Sequence, residues 1–177
     1  QHGSNLISVR AVDYAGMETT VQLNLFYCPA ETFRDVPRGV WYHEGLDFVY
    51  ELGYMIGTSK TTFAPNTELT RGQLATILYR MEGEPEVTGT HPFQDVSANR
   101  YYSDAVLWAY QNKVVRGMSE TIFAPDASIT REQMVTMFAR YADCKGVDIT
   151  AKEDLSTFID GKKVSPYAIS AMRWAVE

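Results

Sequence analysis

A shift of sixty positions lays residues 33–80 on residues 93–140 without a gap, and sixteen of the forty-eight positions are identical. Phe33, Asp35 and Val36 fall on Phe93, Asp95 and Val96, Tyr42 and Tyr50 on Tyr102 and Tyr110, and Gly57, Ser59 and Thr61 on Gly117, Ser119 and Thr121. Phe63-Ala64-Pro65 recurs as Phe123-Ala124-Pro125, and Thr70, Arg71, Gln73, Thr76 and Arg80 recur as Thr130, Arg131, Gln133, Thr136 and Arg140. A unit this short cannot bury its apolar face alone, so the pattern predicts stacked copies of one supersecondary element.

A third copy opens at Phe158-Ile159-Asp160, and its Trp174-Ala175 falls where the second has Trp108-Ala109, after a one-residue insertion. The sequence reaches Glu177 about halfway through that unit, before any third Thr-Arg, and so reads as a fragment. The repeats are placed at 33–81, 93–141 and, incomplete, 158–177. Connectors run over Glu82–Pro92, rich in Gly and Pro, and over Ala142–Thr157, polar and charged.

Each unit reads as two helices. Trp41, Gly45, Phe48, Val49 and Leu52 recur at helical spacing, as do Tyr101, Ala105, Trp108 and Ala109, and Tyr167, Ala171, Trp174 and Ala175. A second helix shows Leu74, Ile77, Leu78 and Met81, copied as Met134, Met137, Phe138 and Tyr141. These stripes read as core, except that the opening ring, Trp41 or Tyr101, sits at the rim. Glu44, Asp47 and Glu51 lie off the stripe of their helix and read as solvated. Gly53 fits a left-handed stop for the first helix, whereas the second copy has Lys113 there.

Thr70 and Thr130 stand one residue before a helical run, each with Gln three residues on, which is the pattern of a capping box. The Pro of Phe-Ala-Pro fixes the turn upstream. The Arg is not explained by capping, because it stands at the first helical position, where the helix dipole disfavours a cation. Two readings stay open. Arg71 and Arg131 form an anion site with the free N–H groups of the helix start, or they form salt bridges to Asp35 or Asp95. On the first reading Gly57 and Gly117 let a ligand approach the backbone, Trp41 and Tyr101 stack on a sugar face, and Asp35 and Asp95 accept from hydroxyl groups. That set fits an acidic carbohydrate. It also implies that Arg71→Ala and Arg131→Ala weaken binding with little change in melting temperature.

Other classes find little support. Net charge is −6 with no Lys/Arg-rich run, which gives no footprint for nucleic acid. No apolar stretch reaches the length of a membrane helix. His2, His43 and His91 are scattered, no His/Cys metal cluster, nucleophile elbow or phosphate loop is evident, and the acids fall on predicted solvated faces, so neither catalysis nor a cofactor is expected. Cys28 and Cys144 lie far apart and read as unpaired.

Residues 1–27 differ in character. Leu6–Val12 and Thr19–Phe26 read as strands about a turn at Asp13–Gly16, the last hairpin of an immunoglobulin-like surface domain, and 28–32 read as a linker. The chain as a whole is therefore expected to be mostly α, with tandem helical repeats behind a β-hairpin.

Phe-x-Asp-Val, an aromatic-opened helix, a Gly, Phe-x-Pro and Thr-Arg-x-Gln together resemble the S-layer homology domain over residues 33–177, about four-fifths of the chain. The third copy's Val164–Ala168 and Trp174–Val176 are similar to a typical third repeat of that family. The resemblance implies a pseudo-threefold helical assembly that anchors a secreted bacterial protein, non-covalently, to secondary cell-wall polysaccharide often bearing pyruvate ketals. It also implies contacts from Arg71 and Arg131, from Asp35, Asp95 and Asp160, and from Trp41 and Tyr101, and it places the protein outside the cell, at the wall. The family's Thr-Arg-Ala-Glu ends in Gln73 and Gln133 here, which keeps the cap but loses a charge. The missing half of the third repeat leaves one groove incomplete and an interface open to self-association. The alternative is a structural module that packs subunits into a surface lattice without binding glycan.

Overall fold

A computed structural model describes residues 3–151 and 153–176, with strand residues 3–6 and 23–27 described by backbone only. Strands β1 (Gly3–Val12) and β2 (Glu18–Tyr27) are followed by a short 3-10 turn, Pro29–Thr32, and by helix α1 (His43–Glu51). Then come α2 (Arg71–Met81), α3 (Ser103–Gln111), α4 (Arg131–Cys144) and α5 (Ile169–Ala175), with 3-10 turns at Leu155–Thr157 and Gly161–Lys163 before the last helix. The expectation of a mostly helical chain behind a hairpin holds. The strands pair antiparallel from Gly3 with Tyr27 to Val12 with Glu18. Asp13 turns the hairpin by accepting from the N–H groups of Ala15 and Met17.

The chain forms two compact units, residues 1–67 and 68–177. Their border falls inside the first repeat, between its Phe-Ala-Pro turn and its second helix. In the first unit Ala30, Phe33, Val36 and Leu46 form the core, with Cys28, Val40, Tyr42, Tyr50 and Phe63 half-buried around it. Residues 28–32 are thus no loose linker, because Pro29 and Ala30 are buried and their turn packs on α1. The described side chains of the hairpin, at 7–12 and 18–22, are exposed.

In the second unit one core joins Leu74, Ala75, Leu78 and Tyr79 of α2 to Tyr102, Ala105, Val106, Trp108 and Ala109 at α3, with Phe93, Phe123 and Met137 closing it. The Tyr79 and Trp108 rings meet at 5.9 Å. Here the second helix of one repeat packs on the first helix of the next, α2 on α3 and α4 on α5. That arrangement explains why the expected apolar face of α1 is not core. Phe48 is 60% exposed, Trp41, Gly45 and Leu52 are exposed too, and the buried residues of α1 are Leu46 and Asp47. Among the described residues no α-helix precedes α1 to cover the face that α2 covers on α3.

Asp47 is also not solvated. It is 2% exposed, and Oδ1 accepts from the Ala30 N–H at 2.6 Å. The two helix stops agree in geometry despite their different residues, since Gly53 has φ 71° and Lys113 takes the same left-handed conformation at φ 62°.

Candidate functional site

The site begins with the Phe-Ala-Pro turn, which both repeats build in one way. Asp35 accepts from the N–H groups of Phe63 (2.9 Å) and Ala64 (2.6 Å), and Asp95 does the same for Phe123 (2.9 Å) and Ala124 (2.6 Å). Each clamp holds the central alanine left-handed, Ala64 at φ 64° and Ala124 at φ 58°. L-residues other than Gly, Asn and Asp seldom adopt that conformation. The bond from the Phe63 N–H, with that from Ala64, holds the Asp35 carboxyl below its ordinary value.

Gly57 and Gly117 belong to the same construction. A Cβ on Gly57 would meet the Phe33 ring and the Thr62 carbonyl, each at 2.7 Å. On Gly117 it would meet the Ile122 carbonyl at 2.6 Å and the Phe93 ring at 2.7 Å. These glycines let the loop close over the opening phenylalanine of its own repeat, Phe33 or Phe93.

The head of α2 then receives the turn of the second repeat. Arg71 N–H donates to the Ala127 carbonyl (3.0 Å) and Gly72 N–H to the Pro125 carbonyl (2.8 Å). The Arg71 side chain, 5% exposed, donates from Nε to the Phe123 carbonyl at 2.8 Å and from Nη2 to the Arg116 carbonyl at 3.2 Å. Its guanidinium also lies over the Phe123 ring, 4.7 Å from the centroid. Thr70 and Gln73 complete the expected capping box, and Thr130 and Gln133 complete its copy. The orphan N–H groups that made this helix start look like an anion site thus meet backbone carbonyls at Arg71 and Gly72. Among the described residues Arg71 forms no salt bridge, so the expected ion pair is replaced by these carbonyl contacts.

The head of α4 is different. Arg131 is exposed and borders an open pocket of about 450 Å³ together with Phe158, Asp160, Lys163 and Met172. Neighbouring Glu132 docks the third-repeat segment, accepting from Ser165 N–H (3.0 Å), Ser165 Oγ (2.9 Å) and the Tyr167 hydroxyl (3.0 Å). The Ser165 bonds, led by its N–H, hold the Glu132 carboxyl below its ordinary value. Among the described residues no carboxylate forms a salt bridge with Arg131 or Lys163.

Arg116 and Arg140 lie around Arg71, whose Nη2 reaches the Arg116 carbonyl at 3.2 Å and whose guanidinium feels the Arg140 charge. Burial pulls Arg71 below the ordinary arginine value, Tyr167 opposes the shift, Arg140 adds to it, and Asp95 opposes it. Burial likewise lowers Arg140, and the positive charge of Arg116 adds to the effect. Among the described residues none of the three forms a salt bridge. The rings expected at the rim are there, Trp41 93% and Tyr101 60% exposed, each edge-on to the next tyrosine. Tyr167 stands at the matching place of the third copy, where its hydroxyl donates to Glu132 at 3.0 Å.

The sequence profile of the S-layer homology domain matches residues 32–75 and 92–135, which are the segments that carry the Asp clamp, the turn and the Thr-Arg head. These two segments are S-layer homology domains. The chain is similar to an endoglucanase of Bacillus sp. (strain KSM-635), 32% identical over 143 residues, covering 81% of this chain and 15% of the relative. It is similar also to the surface-layer 125 kDa protein of Lysinibacillus sphaericus (33% over 140 residues, 75% and 12%) and to the S-layer protein sap of Bacillus anthracis (28% over 137 residues, 75% and 17%). The chain therefore spans less than a fifth of the length of these relatives.

S-layer homology domains serve to anchor bacterial surface-layer proteins and cell-surface enzymes to the cell wall. No helix among the described residues is long and apolar enough to cross a membrane. Within the S-layer homology repeats, the structure brings Arg71, Asp95 and Gly117 into one neighbourhood around Phe123, and Arg131 and Asp160 into another around the open pocket. Asp35 and Gly57 build the corresponding turn in the first unit, and Trp41 opens α1 there. The sequence reading missed Arg116 and Tyr167 as site residues, and it noted Arg140 only as an identity with Arg80. The alignment of Tyr167 with Tyr101 was the available signal.

Proposed function

We propose that this chain anchors a secreted bacterial protein at the cell wall by binding an anionic secondary wall polysaccharide, with pyruvate ketals supplying the carboxylates. The observation that carries this reading is the approach of the Arg71 side chain to Arg116, 3.2 Å from its carbonyl, with Arg140 close enough to act on both, and with no salt-bridging carboxylate among the described residues. Like charges held together and partly desolvated repel one another, and an anion with several acceptor oxygens relieves that repulsion. Arg71 is fixed by two carbonyls and orients the cluster, while Arg116 and Arg140 are the groups left to contact ligand. Tyr167 stands beside the cluster and offers a ring to an apolar sugar face. Tyr101 and Trp41 offer the same at the other helix starts.

The pocket at Arg131 and Lys163 is a second anionic subsite, with Phe158 and Met172 as its apolar wall. The chain contributes binding and no catalysis. Its net charge of −6 does not oppose an anionic ligand, because salt screens charges beyond about 8–10 Å and the local donors decide.

Titrating the chain calorimetrically with purified wall-polymer fragments, before and after hydrolysis of the ketals, tests the reading. Saturable binding that weakens at least about tenfold without the ketal, a loss of about 1.4 kcal/mol, is the expected result. Equal affinity for both preparations would remove the carboxylate from the account.

A further inference from the structure

The first unit contains a second cluster of chemistry that the second repeat lacks. Cys28 Sγ lies 3.2 Å from Asp47 Oδ2 and 3.7 Å from both ring nitrogens of His43, and His43 Nδ1 lies 3.5 Å from the same Asp47 oxygen. His43 and Asp47 stand at i and i+4 on α1, so they project from one helix face, and Cys28 caps the 3-10 turn that packs on that face. All three are at least half-buried at the edge of the core formed by Ala30, Phe33, Val36 and Leu46. Sixty positions on, the corresponding residues are Thr88, Ser103 and Leu107, so the repeat itself does not demand this trio.

We propose that Cys28, His43 and Asp47 form a zinc site that fastens the turn before the first repeat to α1. Zn–S bonds of about 2.3 Å and Zn–N or Zn–O bonds of about 2.0–2.1 Å put the donors of a tetrahedral ion about 3.3–3.6 Å apart. The three separations in the structure, 3.2, 3.5 and 3.7 Å, bracket that range. Asp47 Oδ1 is held by the Ala30 N–H, which leaves Oδ2 for the ion and supplies the outer hydrogen bond that orients a ligating carboxylate. The ring turns to aim one nitrogen at the metal. One thiol, one imidazole and one carboxylate suit Zn²⁺ better than Mg²⁺ or Ca²⁺, which favour oxygen-only shells.

Without the ion the thiol donates to Asp47 Oδ2. Binding replaces that proton. The Zn–S bond forms as S–H breaks, the proton leaves to solvent, and no electron is transferred. A water completes the fourth position.

Co²⁺ serves as the spectroscopic probe on the reduced full chain. One equivalent should give a thiolate-to-cobalt charge-transfer band with visible d–d bands of tetrahedral strength, bleached by one equivalent of Zn²⁺. Cys28→Ser should abolish the charge-transfer band, and His43→Ala and Asp47→Asn should each weaken Zn²⁺ at least about tenfold. Asp47→Asn keeps an acceptor for the Ala30 N–H, so the fold survives that test. Cys144→Ser should change nothing, since Cys144 is exposed and is not one of the three clustered donors. Absence of the band in the folded protein overturns the site. So does a band that survives Cys28→Ser or vanishes in Cys144→Ser, or zinc affinity unchanged in His43→Ala.

Discussion

Arg71 donates to the carbonyl of Phe123, fifty-two residues away, and its guanidinium carbon lies 4.7 Å from the centroid of the same residue's ring. One side chain thereby ties the head of the first repeat's second helix to the turn of the second repeat. The Arg that looked misplaced at a helix start gains charge-assisted bonds to two carbonyls in a buried place. Arg71→Ala should therefore destabilise the second unit by about 2–4 kcal/mol, because it removes both bonds and strands buried acceptors. Arg131→Ala, exposed at the open pocket, should stay within about 0.5 kcal/mol. Urea denaturation of the two variants checks the contrast. Equal effects would mean that the two Thr-Arg heads do the same work.

The clamp of Asp35 on Ala64 and of Asp95 on Ala124 holds each alanine where glycine belongs. Ala64→Gly and Ala124→Gly should each stabilise by about 0.5–1 kcal/mol, the relief of left-handed strain less the extra chain entropy of Gly. Lys113→Gly should do the same at the end of α3, where Gly53 already serves α1. Thermal melts of the three variants read this directly.

Gly117→Ala should act in the opposite direction. Its Cβ would press on the Ile122 carbonyl and the Phe93 ring, so a loss of about 2–4 kcal/mol is expected. Gly83→Ala serves as the comparison, since a Cβ there meets nothing within 4 Å, although its φ of 77° adds its own cost.

Acid should loosen the molecule through its hydrogen-bonded carboxylates, Asp35 and Glu132 among them. Asp35 and Glu132 both have folded-state values below their ordinary ones. The stability they contribute is present above the unfolded carboxylate range, near about pH 4, and is lost as pH falls through the lower folded values. The urea midpoint should hold from neutrality to about pH 5 and decline below about pH 4. Glu132→Gln should lower stability at neutral pH and flatten part of that decline, because it breaks the dock to Ser165 and Tyr167. A decline of unchanged steepness would assign the acid sensitivity elsewhere.

The capping boxes, the helical repeats, the hairpin and the exposed Trp41 and Tyr101 were legible in the sequence, because each rests on local chemistry at fixed spacing. The packing of one repeat's second helix on the next repeat's first helix was not legible, since apolar periodicity marks a face but not its partner. For that reason the stripe of α1 read as core although Phe48 and Leu52 are exposed. Asp47 read as solvated because helical phase put it off that stripe, and only the fold brings Cys28 and the Ala30 N–H to it. Arg71 posed a similar problem. Its cost at the helix start was visible, but its two carbonyl partners are forty-five and fifty-two residues away.

The most direct test of the anchoring account is sedimentation of the chain with purified bacterial wall sacculi, repeated with Arg116→Ala/Arg140→Ala and with sacculi stripped of their secondary polymer by acid. The account predicts binding to intact sacculi, none to stripped sacculi, and at least about tenfold weaker binding by the double variant at an unchanged melting temperature. Binding by the double variant equal to that of the parent chain, or no binding to any wall bearing such a polymer, would contradict it.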